Sequence, residues 1–348
     1  AGGAGPIGSR SFGADPARGG AQVAGAVRGL QGAGVAATLK HFPGHGHTGA
    51  DSHTDLPVLR QNRAALERAD LPPFRSGIAA GAFLVMSGHL DVRAVDGGVP
   101  ATFSRKVMTD LLRGKLKFGG VAVTDALNMA PAKRWPPAEA ALRALLAGND
   151  VLLMPPDLPA VHAGLTEALR EGRLPRPRLV EAVTRVLTLK YRLGDRPPPG
   201  DLSVLERPEH AAAVGALNRA ALTQLRGACP VRLSGPVAVS ASKGRERTRD
   251  WLVAALRERG VRVEDGARTV VHLVGYGDGA GDLRRDATAT VAMDTPYVLA
   301  GSTSPVLLAT YSSTRLSMAA LADVLAGRAK PEGRSPVPVR GLPRTTCR

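Results

Sequence analysis

The sequence predicts an α/β protein in two parts, and three observations support this prediction. Short apolar runs, typical of buried parallel strands, alternate with longer segments of helical periodicity. The spacing of these runs is typical of βαβ units around a parallel sheet. A stiff, proline-rich break, Arg196-Pro197-Pro198-Pro199-Gly200, divides the chain, and the same alternation resumes after it. With 348 residues, the chain is long enough for two separate cores.

In the first part, each predicted strand is followed by a predicted helix. The predicted helices are Asp15–Gln31, Leu66–Ala80, Ser104–Lys115, Ala138–Ala147, Leu158–Glu171 and Arg178–Arg192. The predicted strands are Val35–Leu39, Phe83–Met86, Val121–Thr124 and Val151–Met154. This order favours a parallel sheet whose functional residues follow the strands.

The second part repeats the pattern on a smaller scale. The predicted helices are Ala211–Arg226, Arg249–Arg259 and Ser317–Leu325, and the predicted strands are Val237–Ser240, Thr269–Val274 and runs around Val291, Val298 and Val306. From Pro331 onward, the Pro-, Gly- and Arg-rich sequence predicts a surface tail.

Composition narrows the function classes. The net charge is +16, but aromatic residues are only 3%, so the stacking surfaces of nucleic-acid-binding proteins are scarce and no nucleic-acid partner is predicted. The richness in Ala, Gly, Pro and Arg is typical of a GC-rich genome; attraction to an anionic polymer is a weaker interpretation. No apolar run is long enough to span a bilayer. Cys229 and Cys347 are far apart and are predicted to be unpaired thiols. The N-terminal residues show no export signal, and neither compartment nor oligomeric state is predicted.

A histidine-rich loop carries the first chemical signal. Lys40 to His53, Lys-His-Phe-Pro-Gly-His-Gly-His-Thr-Gly-Ala-Asp-Ser-His, holds four histidines, a lysine and a carboxylate, a density that core packing does not need. Asp51 and His53 are two residues apart, so in an extended loop their side chains point the same way. A carboxylate beside an imidazole fixes its tautomer, and histidine exchanges protons near neutral pH.

A lone carboxylate, Asp125, carries the second signal. It directly follows the apolar run Val121–Thr124, at the C-terminal end of a predicted strand. Asp125 is a candidate base, nucleophile or metal ligand, and a helix cap is the alternative. A nucleophilic carboxylate with a separate proton donor is the logic of retaining glycoside hydrolysis, here with a His–Asp pair as the donor.

Three motifs resemble glycoside hydrolase family 3, specifically its β-N-acetylglucosaminidase branch. They are Ile7 to Pro16 (Ile-Gly-Ser-Arg-Ser-Phe-Gly-Ala-Asp-Pro), the histidine-rich loop, and Gly120 to Leu127 (Gly-Val-Ala-Val-Thr-Asp-Ala-Leu). The resemblance covers about Pro6 to Gly194, and Tyr311 to Ser335 resembles the end of that family's second domain. It implies a (β/α) TIM-type barrel, N-terminally incomplete, in residues 1–195, a linker over 196–212 and a smaller αβα sandwich domain in 213–345.

The resemblance also implies roles for individual residues. Asp125 would be the catalytic nucleophile, and His53 the general acid/base with Asp51 as its partner. Arg10, Lys40 and His41 would bind hydroxyls of a terminal N-acetylglucosamine. The implied activity is a β-N-acetylhexosaminidase acting on small glycosides such as peptidoglycan fragments, without metal or organic cofactor.

Two departures from the family pattern concern substrate fit. His47 stands where the family commonly has Asp, and the segment from Ala130 to Pro137 differs from the usual loop after the nucleophile. Four alternatives stay open: a β-glucosidase of the same fold, an N-acetylglucosaminide phosphorylase, a non-catalytic remnant, and a zinc hydrolase that uses the histidine-rich loop. Phosphorolysis is included because a neutral imidazole repels phosphate less than a carboxylate base does.

Overall fold

The computed structural model describes residues 5–194 and 201–347, which form two compact units. Unit 1 extends to Pro198 and unit 2 begins at Pro199. The proline-rich break Arg196–Gly200 lies outside the described residues. A helix begins at Pro208, within the range 196–212 that is predicted as a linker.

Unit 1 alternates helices and parallel strands. Its strands are β1 (Thr38–Phe42), β2 (Val58–Leu59), β3 (Leu84–Ser87), β4 (Asp91–Val92) and β5 (Val121–Thr124). Its α-helices are α1 (Pro16–Gly32), α2 (Arg63–Ala65), α3 (Leu71–Ala79), α4 (Arg93–Asp96), α5 (Pro137–Ala147), α6 (Leu158–Arg170) and α7 (Arg176–Gly194). Two π-helical segments, Leu66–Asp70 and Lys106–Lys115, complete the helices that the sequence predicts there.

The strands of unit 1 form a three-stranded parallel sheet in the order β1-β3-β5, with β2 and β4 paired separately. The register aligns the C-terminal ends, since Phe42 pairs with Ser87 and Ser87 pairs with Thr124. Residues that follow these three strands therefore meet at one edge of the sheet.

Local sequence explains how the first helix is placed. Asp15 caps α1 by accepting hydrogen bonds from the backbone N–H groups of Ala17 and Arg18, and Pro16 starts the helix. α3 lies close to β1 because Gly77 has no side chain; an added Cβ would meet Leu39 at 2.5 Å. Buried apolar side chains on β1 and β3, including Phe42 and Val85, form the core beneath this layer.

Unit 2 is built on a five-stranded sheet in the order β6-β10-β9-β8-β7, in which only the β6–β10 pair is antiparallel. The strands are β6 (Thr223–Arg226), β7 (Val237–Ala241), β8 (Thr269–Val274), β9 (Ala289–Ala292) and β10 (Val306–Ala309). The helices are α8 (Pro208–Ala221), α9 (Glu246–Glu258) and α10 (Arg315–Leu325).

The two faces of this sheet are covered differently. Successive residues of β10 point to opposite faces: Leu308 packs with side chains of α9 and α10, whereas Leu307 packs with Leu299 in a 3₁₀ segment. In the described residues, helices therefore pack on one face of this sheet, and a 3₁₀ segment packs on the other.

Three predicted elements were wrong. Val151–Met154 forms a single parallel bridge, from Val151 to Val123, because Pro155 and Pro156 come directly after it. The helix predicted to reach Arg226 ends at Ala221, and Thr223–Arg226 pairs with β10 as strand β6. The run around Val298 is a 3₁₀ segment that begins at Pro296.

The C-terminal segment corrects two further predictions. Cys229 and Cys347 form a disulfide bond and are not unpaired thiols. The segment after Pro331 is partly buried, because Thr346 donates a backbone hydrogen bond to the carbonyl of Gln224 on strand β6 (2.8 Å). The sequence missed this pairing because contact across 118 residues leaves no local pattern.

Within residues 5–194 and 201–347, none of the helices has the length and apolar character needed to cross a membrane.

Candidate active site

The candidate site lies where three strands of unit 1 end. The backbone N–H of Asp125 donates to the carbonyl of Ser87 (2.9 Å), and that of Gly88 donates to the carbonyl of Phe42 (2.9 Å). The end of β5 is therefore tied to the end of β3, and the end of β3 to the end of β1. The two sequence motifs meet at this edge.

The Asp125 carboxylate is nearly buried and lies between two groups. Its Oδ1 accepts a hydrogen bond from the backbone N–H of Ala126 (2.9 Å), and its Oδ2 lies 3.9 Å from Nε2 of His41. Asp125 is 9% exposed, so one oxygen is fixed by the backbone while the other faces an imidazole across more than a hydrogen-bond distance.

His41 faces Asp125 as a neutral ring. Burial lowers the pKa of His41 to about 4, although the Asp125 carboxylate acts in the opposite direction. The positive charges of Lys40 and Arg10, together with His45, lower this pKa further. At neutral pH the ring therefore carries one N–H group, which suits it to bind a hydroxyl.

Arg10, Lys40 and His41 line one cavity of about 410 Å³ beside β1. Arg10 and Lys40 are exposed, and the Arg10 guanidinium donates to the carbonyls of Pro6 (2.8 Å) and Ile7 (3.3 Å). Much of the remaining wall is apolar, and neither Asp125 nor His53 lines it. The cavity adjoins the nucleophile candidate through His41 and does not contain it.

On the histidine-rich loop, Asp51 and His53 form a hydrogen-bonded pair. Asp51 Oδ1 lies 2.7 Å from Nδ1 of His53 and also accepts from the His53 backbone N–H (3.0 Å). These bonds, the backbone one first, hold the pKa of Asp51 below its usual range. Both side chains are exposed, 51% for Asp51 and 72% for His53, so Nε2 of His53 is directed away from its partner and is accessible.

His45 belongs to the histidine-rich loop and anchors it from inside, where its side chain is buried. Its Nδ1 lies 2.6 Å from Oγ1 of Thr48, and its Nε2 lies 3.2 Å from Oγ of Ser52, the residue between Asp51 and His53. Burial lowers the pKa of His45, while the carboxylates of both Asp125 and Asp51 raise it. His45 is thus within electrostatic reach of both candidate catalytic carboxylates.

A second anchor fixes the start of the loop. His47 Nδ1 lies 2.7 Å from Oδ1 of Asp70, and Gln61 donates to Oδ2 of the same carboxylate (3.0 Å). Gly44 has a φ of +136° and sits against Asp70, where an added Cβ would come within 2.9 Å of the Asp70 Cβ. His47, the departure from the family pattern, therefore has a structural partner.

The far end of the loop reaches the segment that comes after Asp125. The backbone N–H of Ala130 lies 3.5 Å from the carbonyl oxygen of His53. The segment from Ala130 onward, which departs from the family pattern, therefore begins in contact with His53, the acid/base candidate.

Sequence reasoning missed most of a buried polar network behind the strand ends. Ser87, His89, Thr102 and Asn149 are each 0% exposed and are joined by hydrogen bonds. The available signal was the run of polar residues directly after apolar strands, as in Ser87-Gly88-His89.

Metal binding has no geometric support in the described part of the chain. There, no three His, Cys, Asp or Glu side chains are grouped so as to hold a metal ion. Both ring nitrogens of His45 face Thr48 and Ser52, and Nδ1 of His47 faces Asp70; the zinc alternative would need these two histidines.

A carboxylate follows a parallel strand, and a loop with a histidine–aspartate pair contacts the segment after it, an arrangement typical of sites in α/β enzymes. The profile of the glycosyl hydrolase family 3 N-terminal domain matches residues 2–189, more than half of the chain. The chain belongs to glycoside hydrolase family 3, which confirms the resemblance predicted from the motifs.

Two relatives of this chain are both named β-hexosaminidases. The chain is 34% identical over 232 residues to β-hexosaminidase A of Pseudoalteromonas piscicida, covering 59% of this chain and 39% of that protein. It is 40% identical over 193 residues to the β-hexosaminidase LpqI of Mycobacterium tuberculosis, covering 53% and 49%. The chain thus spans half or less of the length of these relatives.

Among solved structures, a family 3 β-N-acetylglucosaminidase from Paenibacillus superposes with a TM-score of 0.88 at 30% identity, covering 97% of this chain and 74% of that one. The β-glucoside phosphorylase BglX superposes with a TM-score of 0.84 at 21% identity, which shows a shared fold only.

Proposed function

We propose that this chain carries the catalytic region of a retaining β-N-acetylglucosaminidase, which removes terminal, non-reducing β-linked N-acetylglucosamine from small glycosides such as peptidoglycan fragments. The observation that carries the proposal is that the histidine-rich loop reaches Asp125 at one edge of the sheet: His41 lies 3.9 Å from its carboxylate, and the His53 carbonyl lies 3.5 Å from the backbone N–H of Ala130. The names of the relatives support the same substrate class.

In this proposal Asp125 is the nucleophile. Its carboxylate attacks the anomeric carbon, the glycosidic C–O bond breaks, and a covalent glycosyl-enzyme forms. The Ala126 N–H holds Oδ1 of Asp125, so the attacking oxygen is Oδ2, which faces His41. Water then attacks the same carbon, and Asp125 leaves as a carboxylate.

His53 supplies the proton and recovers it. In the imidazolium form, Nδ1–H donates to Asp51 and Nε2–H protonates the departing oxygen; the ring left neutral keeps its proton on Nδ1, so Nε2 can then take a proton from water. The high exposure of His53 suits this double role, because both the leaving group and the water have to reach the same nitrogen.

Arg10, Lys40 and His41 bind hydroxyls of the terminal sugar in this scheme. All three line the cavity beside β1, whose volume is in the range of small-molecule sites. Unit 1 would then be the barrel-type catalytic domain, and unit 2 a separate domain that comes after it in the chain.

Trapping of the covalent intermediate tests the proposal. A 5-fluoro analogue of N-acetylglucosamine with a good leaving group accumulates the glycosyl-enzyme, and peptide mass spectrometry locates the label. We expect the label on the peptide that contains Asp125, together with release of nitrophenol from the N-acetylglucosaminide and not from the glucoside. A label on any other residue would refute the nucleophile assignment. Formation of sugar phosphate in phosphate buffer would move the assignment to a phosphorylase.

A further inference from the structure

A buried histidine outside the predicted catalytic set lies directly behind Asp125. His89 lies just after the end of β3 and is 0% exposed. Its Nε2 lies 3.0 Å from the carbonyl oxygen of Ala126, and its Nδ1 lies 2.9 Å from Oγ1 of Thr102. The ring therefore connects the nucleophile turn to the polar network.

The hydrogen-bond partners define how the ring is protonated. Burial lowers the pKa of His89 even though the carbonyl of Ala126 and the charge of Asp125 act in the opposite direction. A neutral imidazole has one N–H, and a carbonyl only accepts. Nε2–H consequently donates to the Ala126 carbonyl, and Nδ1 accepts from the Thr102 hydroxyl, whose one proton is shared with the carbonyl of Gly88 (3.1 Å).

The ring is also held in its plane. It stacks on Phe103 with a centroid distance of 5.9 Å and an interplanar angle of 8°, and Phe103 contacts Trp135 edge-on at 4.8 Å. Asn149 secures the Phe103 segment from below by donating to the carbonyl of Thr102 (2.8 Å). The donor nitrogen of His89 is thus fixed in position.

The residue that His89 fixes is the one that orients the nucleophile. The N–H of Ala126 donates to Oδ1 of Asp125, while the carbonyl of Ala126 accepts from His89. The N–H of Asp125 is held by Ser87. The backbone on both sides of the carboxylate is anchored, and His89 provides the anchor on the C-terminal side.

We propose that His89 is a positioning residue, which acts through Ala126 to aim the Asp125 carboxylate at the anomeric carbon without contacting the sugar. This inference rests on the proposed role of Asp125 as nucleophile. It assigns His89 to the covalent chemistry and not to proton transfer.

Two substitutions separate the contacts of the ring. In His89→Gln the side-chain amide nitrogen reaches near the position of Nε2, so the donor to Ala126 is kept. In His89→Asn the shorter amide reaches only near the position of Nδ1, where its oxygen accepts from Thr102, so that contact is kept and the donor to Ala126 is lost. Both variants replace a buried ring with a smaller neutral amide, so each is the control for the other.

The readouts are kcat, KM, thermal unfolding and the rate at which the fluorosugar labels Asp125. A misplacement of about 1 Å costs on the order of 10²-fold in rate. We expect His89→Asn to lose about that factor in kcat and in labelling rate with KM little changed, and His89→Gln to keep activity within about tenfold of the wild type. The loss should be the same for good and poor leaving groups, because a nucleophile serves both.

If the two variants have the same thermal stability and also the same activity, whether high or low, the inference is overturned. If His89→Asn does not fold, Thr102→Val and Thr102→Ser replace the pair: loss in Val with recovery in Ser supports the inference, and no loss in Val overturns it. A wild-type label away from Asp125 would instead refute the proposed function itself, so the two failures are distinct.

Discussion

The two halves of the candidate site are built in opposite ways. Asp125 is nearly buried at a strand end and is tied to backbone on both sides, with His89, Thr102 and Asn149 packed behind it. Asp51 and His53 are exposed on a loop that is held from inside by His45. A group that attacks one fixed carbon gains from a rigid mount, whereas a proton carrier that serves a leaving group and then water gains from access.

The largest expected effect is on the rigid half. Asp125→Asn keeps the size of the side chain but removes the charge that attacks carbon, so turnover of 4-nitrophenyl N-acetylglucosaminide should fall by several powers of ten. Steady-state kinetics measures this loss, and thermal unfolding shows whether the fold is kept.

The same variant also has a contradicting outcome. If Asp125→Asn retains activity within tenfold of the wild type after contaminating enzyme is excluded, the strand-end carboxylate is not the nucleophile. The comparison between a buried and an exposed half would then have no chemical meaning.

The loss of rate caused by a change in the exposed half should depend on the leaving group. His53→Ala removes the proton donor, which contributes about 10²–10⁴-fold for a poor leaving group such as a sugar and far less for dinitrophenol. Kinetics on a series of aryl glycosides and on a disaccharide gives the dependence on leaving-group pKa. Equal losses across the series would exclude His53 as the acid.

The sequence located the two motifs but not the buried residues that support them. Lys40–His53 and Asp125 were visible because dense titratable groups in a loop, and an acid after an apolar run, have local signatures. The network of Ser87, Thr102 and Asn149 was invisible, because each residue is ordinary alone and becomes informative only when folding buries it.

Long-range pairing also escaped prediction. β6 looks like the continuation of a helix until β10 pairs with it, and Cys229 and Cys347 look unpaired until the chain brings them together. The helices of unit 1 were predicted well because a helix is decided by neighbouring residues. A bridge such as that of Val151 depends instead on a distant partner strand and on the prolines that end the run.

Low pH should lower the free energy of unfolding, because burial lowers the pKa values of the histidines around Asp125. The pKa of His41 is about 4 in the folded chain against an ordinary value of 6.5, so the unfolded chain takes up a proton first as pH falls. Stability is therefore full above about pH 6.5 and declines toward pH 4, by about 3 kcal/mol for this residue alone. Urea unfolding at pH 7 and pH 4 measures the decline.

A matched variant isolates the contribution of His41. His41→Gln keeps a polar side chain that does not titrate, so its decline in stability over the same pH range should be smaller than that of the wild type. His45 and His89, whose pKa values are also lowered by burial, continue to contribute in both proteins. Identical slopes would show that His41 is not the neutral, buried ring described above.

The smallest expected effect concerns Ser52, through which His45 anchors the exposed half of the site from inside. Thr48 donates its hydroxyl proton to the His45 carbonyl, so His45 donates from Nδ1 to Thr48 and accepts at Nε2 from the Ser52 hydroxyl. Ser52→Ala removes this last bond, worth about 1 kcal/mol, or roughly fivefold in the population of the aligned loop. Kinetics should show a loss of that size on a disaccharide and almost none on dinitrophenyl substrates.

Ser203→Ala, at an exposed serine of unit 2, is the matched control and should change neither rate. The pattern matters more than the size of the loss. If Ser52→Ala slowed both substrates alike, the anchor would be acting on the nucleophile as well, and the site would be one rigid assembly. A loss confined to poor leaving groups means that the position of the loop can change without changing the position of Asp125. This is the result expected if the exposed half transfers the proton and the buried half supplies the nucleophile.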